Sequence, residues 1–495
     1  MSHHVPQNSA EGHLRPRLSK LTMVAMTFAI LNTWIALGGT IGIVMPSGGP
    51  VAFLYGFIFC VLCNFALAAS LGELAAIWPT AGGQYHFVFA LSPDKWKALL
   101  ASIPIGHSIA SFWAGWINIA GWLTLVTTEA FFGALFISAA SVVASNGSYV
   151  AEAWKTYLIF LSILTFSTVT NIWGNKILGP WNNLALYWSI LSVVIISILL
   201  LSTSDKTSAR FVFTAFRNET GCGTIFIPVI MFCLTDLPAL IASTTGMPLI
   251  ELVLQATGSR AAACIISCML AICFVHGTNG SITSASRLIY AMARDNGIFL
   301  SKYFNHIDPR LEVPVRTILL CFCFNVLFGL LYLGPTVAFN AFIASCTIFL
   351  NISYAFPILI LNIRGRKILI QHQSPTTPWK LGNRLGPTLN WVAVLYVLVT
   401  YVFFCFPPVL PVTLSSMSTF PEFFVAGANL LTRNPDYVSA VISIFLIILT
   451  SYWLVYGKQF EGPQFDTIVA QQLEVMENMH GSALGSRKNS HQAVV

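Results

Sequence analysis

Apolar residues in this chain come in long unbroken runs, without the period that marks a half-buried helix or strand. Eleven runs stand out, at 22–44, 51–76, 112–140, 154–173, 183–202, 223–242, 261–283, 315–333, 337–361, 389–410 and 437–456. Each is about as long as the twenty or so residues with which an α-helix crosses a hydrocarbon layer of ~30 Å. Where no water can satisfy the backbone, only helices and closed barrels survive, and runs of this length predict helices. The expected organisation is a polar N-terminal tail (1–20), a transmembrane region (21–458) and a C-terminal tail (459–495). That last tail is Ser- and Gln-rich, too poor in apolar residues to order itself, and is expected in the cytoplasm.

Composition agrees with this pattern. The chain is 56% hydrophobic and 9% charged, whereas a soluble domain carries roughly 25% charged residues. A soluble core of any shape is excluded. The N-terminal tail holds Arg15, Arg17 and Lys20 without a short apolar core and cleavage site, so it does not read as a signal peptide. The net charge of +7 resides in cations flanking the spans and gives no reason to expect nucleic acid. Most of the eleven cysteines, including Cys60, Cys63, Cys264, Cys268, Cys273, Cys321 and Cys323, lie inside apolar runs. Cys60 and Cys63 have the C-x-x-C spacing of a redox or metal motif, but in a membrane helix cysteine serves as a small apolar residue. No metal and no cofactor is expected. With no H-E-x-x-H and no G-x-S-x-G, neither is an enzyme.

Loop charge sets the orientation. The N-terminal tail, Lys95 with Lys97, and the turn at Lys176 fall on one side, which the positive-inside rule makes cytoplasmic. Two later loops should share it: one with Arg287, Arg294, Lys302, Arg310 and Arg316, the other with Arg364, Arg366, Lys367, Lys380 and Arg384. Three runs separate Lys176 from Arg287, and an odd number puts those loops on opposite faces. The sequons at Asn146 and Asn218, glycosylated only on the far side of a membrane, agree with the first five runs. The conflict therefore lies between Asn218 and Arg287, and the junction Glu219-Thr220-Gly221-Cys222-Gly223-Thr224 is where a span is expected to be missing.

Several segments carry a family likeness. "SASRLIYAMARDNGIF" (Ser284–Phe299) followed by "HIDPRLEVPVRT" (His306–Thr317) resembles the cytoplasmic loop after span 8 of amino-acid permeases. "PSGGPVAFLYG" (Pro46–Gly56), "WPTAGGQYHFVFALSP" (Trp78–Pro93) and "GWINIAGW" (Gly115–Trp122) add to it. Together, from about Leu21 to Gly462, they resemble the amino acid–polyamine–organocation superfamily, and within it the fungal choline and gamma-aminobutyrate permeases. The resemblance implies an all-α polytopic membrane protein of the leucine-transporter type, with twelve spans and inverted repeats of spans 1–5 and 6–10. Its substrate would bind at mid-membrane where spans 1 and 6 are broken. It implies a secondary active transporter in the plasma membrane, importing an amino acid, gamma-aminobutyrate or choline by alternating access and coupled to protons. A non-transporting isoform or nutrient sensor of the same fold is the alternative.

The first break is legible in "AILNTWIALGGTIGIVMPSGG". Asn32, Thr33, Gly38, Gly39 and Gly42 interrupt an apolar span, and each glycine weakens a helix by about 1 kcal/mol. Small-residue helix packing produces the same pattern; the position in span 1 favours a substrate site at Asn32, Thr33 and Trp34, with Gly38 and Gly39. Trp116, Asn118 and Asn279 are candidates for the cavity wall, as are Trp113, Trp122, His276 and Thr278, although Trp at a span end also anchors the interface. Glu73 and Glu129 are candidates for proton coupling, against pairing with a loop cation. Arg287 and Asp295 read as gate or loop-folding residues. A quaternary ammonium would want an aromatic cage, which Trp34, Trp113 and Trp116 could supply.

Three stretches depart from the resemblance. About fifty residues are expected between Gly221 and Gly223, enough for all of span 6 and the start of span 7, and are absent. "SIPIGHSIAS" (Ser102–Ser111) and "STFPEFFVAGANLLTRNPD" (Ser418–Asp436) look inserted, with the length and composition of translated introns.

Overall fold

The computed structural model describes residues 19–35, 38, 49–92, 107–174, 177–204, 206–214, 245–334, 336–373, 377–404 and 437–463. Their regular structure is entirely helical. The helices are α1 (Lys20–Leu31), α2 (Gly49–Ile77), α3 (Gln84–Leu91), α4 (His107–Ala144), α5 (Ala153–Trp173), α6 (Leu178–Thr203), α7 (Ala209–Thr214) and α8 (Pro248–Thr257). They continue with α9 (Arg260–Arg294), α10 (Ser301–Phe304), α11 (Val315–Gly329), α12 (Thr336–Arg364), α13 (Lys367–His372), α14 (Gly382–Phe404) and α15 (Tyr437–Tyr456). Ten of the eleven apolar runs overlap these helices, the first only in part, since α1 ends at Leu31. The eleventh, 223–242, lies outside the described residues, as do the sequon at Asn218 and the stretch Ser418–Asp436. Eight of the helices are long and apolar enough to cross a membrane.

Local chemistry sets several boundaries. Ser19 caps α1, its hydroxyl accepting from the Thr22 N–H at 3.1 Å. Pro248 opens α8, Gly258 closes it in the left-handed conformation (φ 61), and Ser259 caps α9 at once. At 35 residues α9 extends to ~52 Å, well past the hydrocarbon layer, so its last turns stand clear of it. Arg287 therefore sits inside a helix and not in the loop expected of it. Ser111, expected within an insertion, belongs to the first turns of α4 and is fully buried, its hydroxyl donating to the Tyr85 carbonyl at 2.8 Å.

The bundle is apolar outside and partly polar within. On α6, Leu184, Tyr187, Leu191, Val194, Ile198 and Leu201 recur at helical spacing and are exposed, while Asn182, Ala185, Ser189 and Ser192 face inward. This is the pattern of a helix whose outer face meets lipid.

Two core clusters fill the bundle, the larger running through its length and the smaller confined to one end. At one end Leu74, Tyr85, Leu91, Phe112, Met292 and Phe460 pack together. This is the basic face: the C-terminal ends of α2, α9, α12 and α15 meet the start of α4. Both carboxylate oxygens of Glu73 accept from Arg366 Nη2 here (2.7 and 2.6 Å), and Oε1 also accepts from the Leu381 N–H at 3.0 Å. Beyond α15 the chain turns across this face, where the Glu461 N–H donates to the Asp295 carbonyl. At the other end Phe53, Phe136, Val143, Leu200, Val212, Leu249 and Ile266 form the second cluster. The end of α6 and the start of α8 thus lie on the same, non-basic face, as the loop charges demand.

Candidate functional site

The helix of α1 stops at Leu31. Asn32 takes the left-handed conformation at φ 37, and a short turn then resumes, with the Ile35 N–H donating to the Asn32 carbonyl at 3.0 Å. A non-glycine residue pays about 1 kcal/mol for that conformation, and asparagine pays least because its amide can bond nearby. Here Asn32 Nδ2 donates to the Cys273 carbonyl of α9 at 3.0 Å. The interruption in α1 is therefore pinned to α9.

Across from it stands Gly277. A Cβ added there would fall on Glu129 Oε2 of α4 and lie 2.7 Å from Asn32 Nδ2. Three helices thus converge at a spot that only glycine allows. Glu129 is 4% exposed and Asn32 2%. Among the described residues neither Glu129 Oε2 nor Asn32 Oδ1 has a hydrogen-bond partner, and no cation pairs with Glu129. Buried polar groups are nearly always bonded, so two unbonded buried acceptors on helices that meet at Gly277 mark a place built for something that donates.

The other sequence candidates disperse. Thr33 is exposed. Trp34 reaches away to α6, where its indole N–H donates to Ser189 Oγ at 3.0 Å. Gly38 packs on α8; a Cβ there would meet Leu249 Cδ2 at 2.6 Å. Gly39 lies outside the described residues. Trp116 sits at the basic face with its indole donating to the Gly297 carbonyl at 3.1 Å, edge-on to Tyr452. Asn118 donates to Gln84 Oε1 at 2.8 Å and accepts from Ser353 Oγ. These two join α4 to its neighbours and do not border the break.

The polar stretch in the middle of α9 divides by direction, since successive residues project about 100° apart. The His276 ring lies against Trp181 of α6, with centroids 4.4 Å apart. Asn279 turns to α5, donating to Thr170 Oγ1, while its carbonyl accepts from Asn171 Nδ2 at 3.0 Å. Thr278 bonds its own helix at the Phe274 carbonyl. Gly277, which carries no side chain to attract notice, faces the break. An unbranched gap inside a polar run of an otherwise apolar helix was the available signal for it.

Of the two carboxylates, Glu73 adopts the arrangement of a paired residue. Its bonds to Arg366, Gln373 and the Leu381 N–H tie α2 to the segment after α12. A second knot on the basic face holds Asp295, which caps α9. Tyr85 OH donates to Asp295 Oδ2 at 2.9 Å, His86 Nε2 lies 3.1 Å from the same oxygen, and Arg294 Nε reaches Oδ1. The carboxylate accepts only, so Nε2 carries the His86 proton and Nδ1 accepts from Thr80 Oγ1 at 2.8 Å. Burial opposes ionisation of Asp295, but His86, Arg294 and Tyr85 together hold it below the ordinary carboxylate range. Burial of the His86 ring outweighs the pull of Asp295 and keeps the imidazole below the ordinary histidine range.

Comparison with known proteins matches this arrangement to a family. The family model described as amino acid permease matches in two pieces, residues 21–220 and 212–428, which meet just after α7. The chain is 27% identical to the choline transporter of Saccharomyces cerevisiae, with 91% of this chain and 83% of that protein covered. It is 25% identical to amino-acid permease BAT1 of Arabidopsis thaliana, with 91% and 93% covered. The first similarity extends over 504 aligned positions and the second over 517, so on the order of fifty or more positions in each face no residue of this chain. Among solved structures, the nucleobase-cation-symport-1 family transporter Mhp1, closed with bromovinylhydantoin bound, superposes with a TM-score of 0.44 at 12% identity, covering 80% of this chain and 95% of that one. An all-helical bundle with a broken first span, matched by a family model over most of its length, is a multi-pass membrane permease and not an enzyme, and the chain belongs to the amino acid permease family.

Proposed function

We propose that the site between α1, α4 and α9 is the substrate site of a secondary active transporter for a small organic solute bearing an amine: an amino acid, gamma-aminobutyrate, choline or a polyamine. The carrying observation is the left-handed interruption at Asn32 facing the buried, unpaired Glu129 across Gly277. Irregular backbone at membrane depth is tolerated where it faces protein or a cavity, and broken spans are where transporters of inverted-repeat architecture bind their solutes. In this reading the fold is of the leucine-transporter type and works by alternating access. Glu129 is the proton-coupling group, Glu73 is structural, and the protein sits in the plasma membrane with its N-terminus in the cytoplasm.

A second reading concerns the chain as written. The end of α6 and the start of α8 share a face, and residues 215–244 are thirty in number. Two crossings need about forty residues. The family match divides at 212–220, and the relatives align with a surplus of positions. These observations favour a chain lacking the second broken span, and with it half of the substrate site. The expected outcome is no uptake of labelled choline, amino acid or putrescine by cells making this chain, and uptake once a relative's intervening stretch is grafted at Gly221. Robust uptake by the ungrafted chain would refute the second reading; failure of the grafted chain with every solute would refute the first. Sequencing of the transcript across Ser102, Gly221 and Ser418 decides whether the shortened frame is expressed.

A further inference from the structure

We propose that Glu129 is the shared seat of the solute's ammonium group and the coupling proton, so that the two exclude each other and the protein exchanges one for the other. This rests on the substrate-site reading above and assigns it a chemistry. An ionised carboxylate buried without a cation costs many kcal/mol, and the site relieves that cost in only two ways. It takes a proton, or it takes a cation.

The neighbours of Glu129 leave no third route among the described residues. On α9 the titratable side chains are Cys273 and His276, the latter turned to Trp181; on α12 there is Cys346, with Tyr354 behind it. Asn32 of α1 and Asn325 of α11 are amides, with Asn325 Oδ1 engaged by Thr127, and α11 also carries the buried Cys321 one turn away. Among the described residues no Lys, Arg or Asp acts on the carboxylate. A conformational change that carried Glu129 across the membrane empty and ionised would pay the full burial cost, so the protein reorients with either occupant and not with neither. Amine movement in one direction then requires proton movement in the other.

The same acceptors restrict the amine. Asn32 Nδ2, the Asn32 atom nearest Gly277, is committed to the Cys273 carbonyl, and Asn32 Oδ1 and Glu129 Oε2 are left as buried acceptors without a donor. Both need a hydrogen donor. A primary or secondary ammonium brings N–H groups and satisfies them; a quaternary ammonium such as choline brings none and leaves both unpaired. The site is thus fitted to amines that carry N–H.

Carbodiimide labelling tests this without requiring transport. Dicyclohexylcarbodiimide attacks protonated carboxyls in apolar surroundings, and mass spectrometry of membranes containing the full chain locates the adduct. The expected result is an adduct at Glu129 that putrescine prevents and an equal concentration of choline does not. The putrescine concentration giving half-protection should rise about tenfold for each unit of falling pH, the linkage expected when one proton competes with one ligand. Glu129→Gln should abolish the adduct and Glu129→Asp should retain both adduct and protection, with thermal melts verifying that both variants fold. An adduct that no amine prevents, equal protection by choline, or protection independent of pH would overturn the proposal. If the grafted chain then transports an amine with Glu129→Gln uptake intact, the transporter reading stands and the shared seat alone falls.

Discussion

At the scale of the residue, the site depends on a side chain that is missing. Alanine at 277 would favour the helix of α9 by about 1 kcal/mol by intrinsic propensity, yet its methyl would occupy the place of the Glu129 carboxyl. We expect Gly277→Ala to leave the melting temperature within a few degrees of the parent while raising the amine concentration for protection at Glu129 at least tenfold, as measured by the labelling assay. The Asp295 knot makes a separate prediction in pH. The unfolded His86 takes up a proton near pH 6.5, while the folded one resists until lower pH, so the unfolded state binds more protons and stability falls as pH drops below about 6.5. Asp295, held low in the fold, adds a further loss only below about pH 3.8. Melts of the purified protein between pH 8 and 5 should show the first limb at up to about 1.4 kcal/mol per pH unit. His86→Gln should flatten it.

Among the elements, carboxylates of equal promise in the sequence have opposite fates. Glu73 and Glu129 are both buried acids in apolar helices, and only the partner distinguishes them. The Arg that pairs with Glu73 lies 293 positions away, at Arg366, a separation that no local pattern reveals. Glu73→Gln leaves Arg366, 12% exposed, without its counter-charge and should cost about 3–5 kcal/mol in melting experiments. Glu73→Leu with Arg366→Met should recover most of that, which a coupling residue would not allow. The break at Asn32 was legible because glycines and polar residues stand out in an apolar run; the dispersal of Trp116, Asn118 and Asn279 was not, because it depends on which way a helix is rotated. The sequon at Asn146 falls in the turn after α4. Asn146 is exposed at φ 54, beside Gly147 at φ 82, on the non-basic face. Endoglycosidase digestion should remove one glycan there, and Asn146→Gln should abolish that shift.

For the whole molecule, hydropathy was enough to read an all-helical membrane bundle, because a bilayer leaves the backbone few choices. Eleven runs are legible in the sequence, and among the described residues eight helices are long and apolar enough to cross. What hydropathy could not supply was the packing order of the helices, which depends on contacts between distant residues such as Trp188 with Met269. The charge conflict between Lys176 and Arg287 nonetheless pointed to a real property, since α6 ends and α8 begins on one face. A membrane-impermeant maleimide should label Thr203→Cys and Gln255→Cys from the same side, and reach Lys302→Cys only after the membrane is opened.

That shared face has a consequence for biogenesis. Loss of a single crossing would turn every later span upside down, with its arginines forced to the wrong side, and such a chain would be destroyed soon after synthesis. Loss of an even number leaves the downstream half the right way up, so the insertion machinery meets the same signals it meets in a longer sister chain. On the second reading above, a shortened product of this kind is expected to insert and accumulate in the membrane of a longer sister chain without sharing its work.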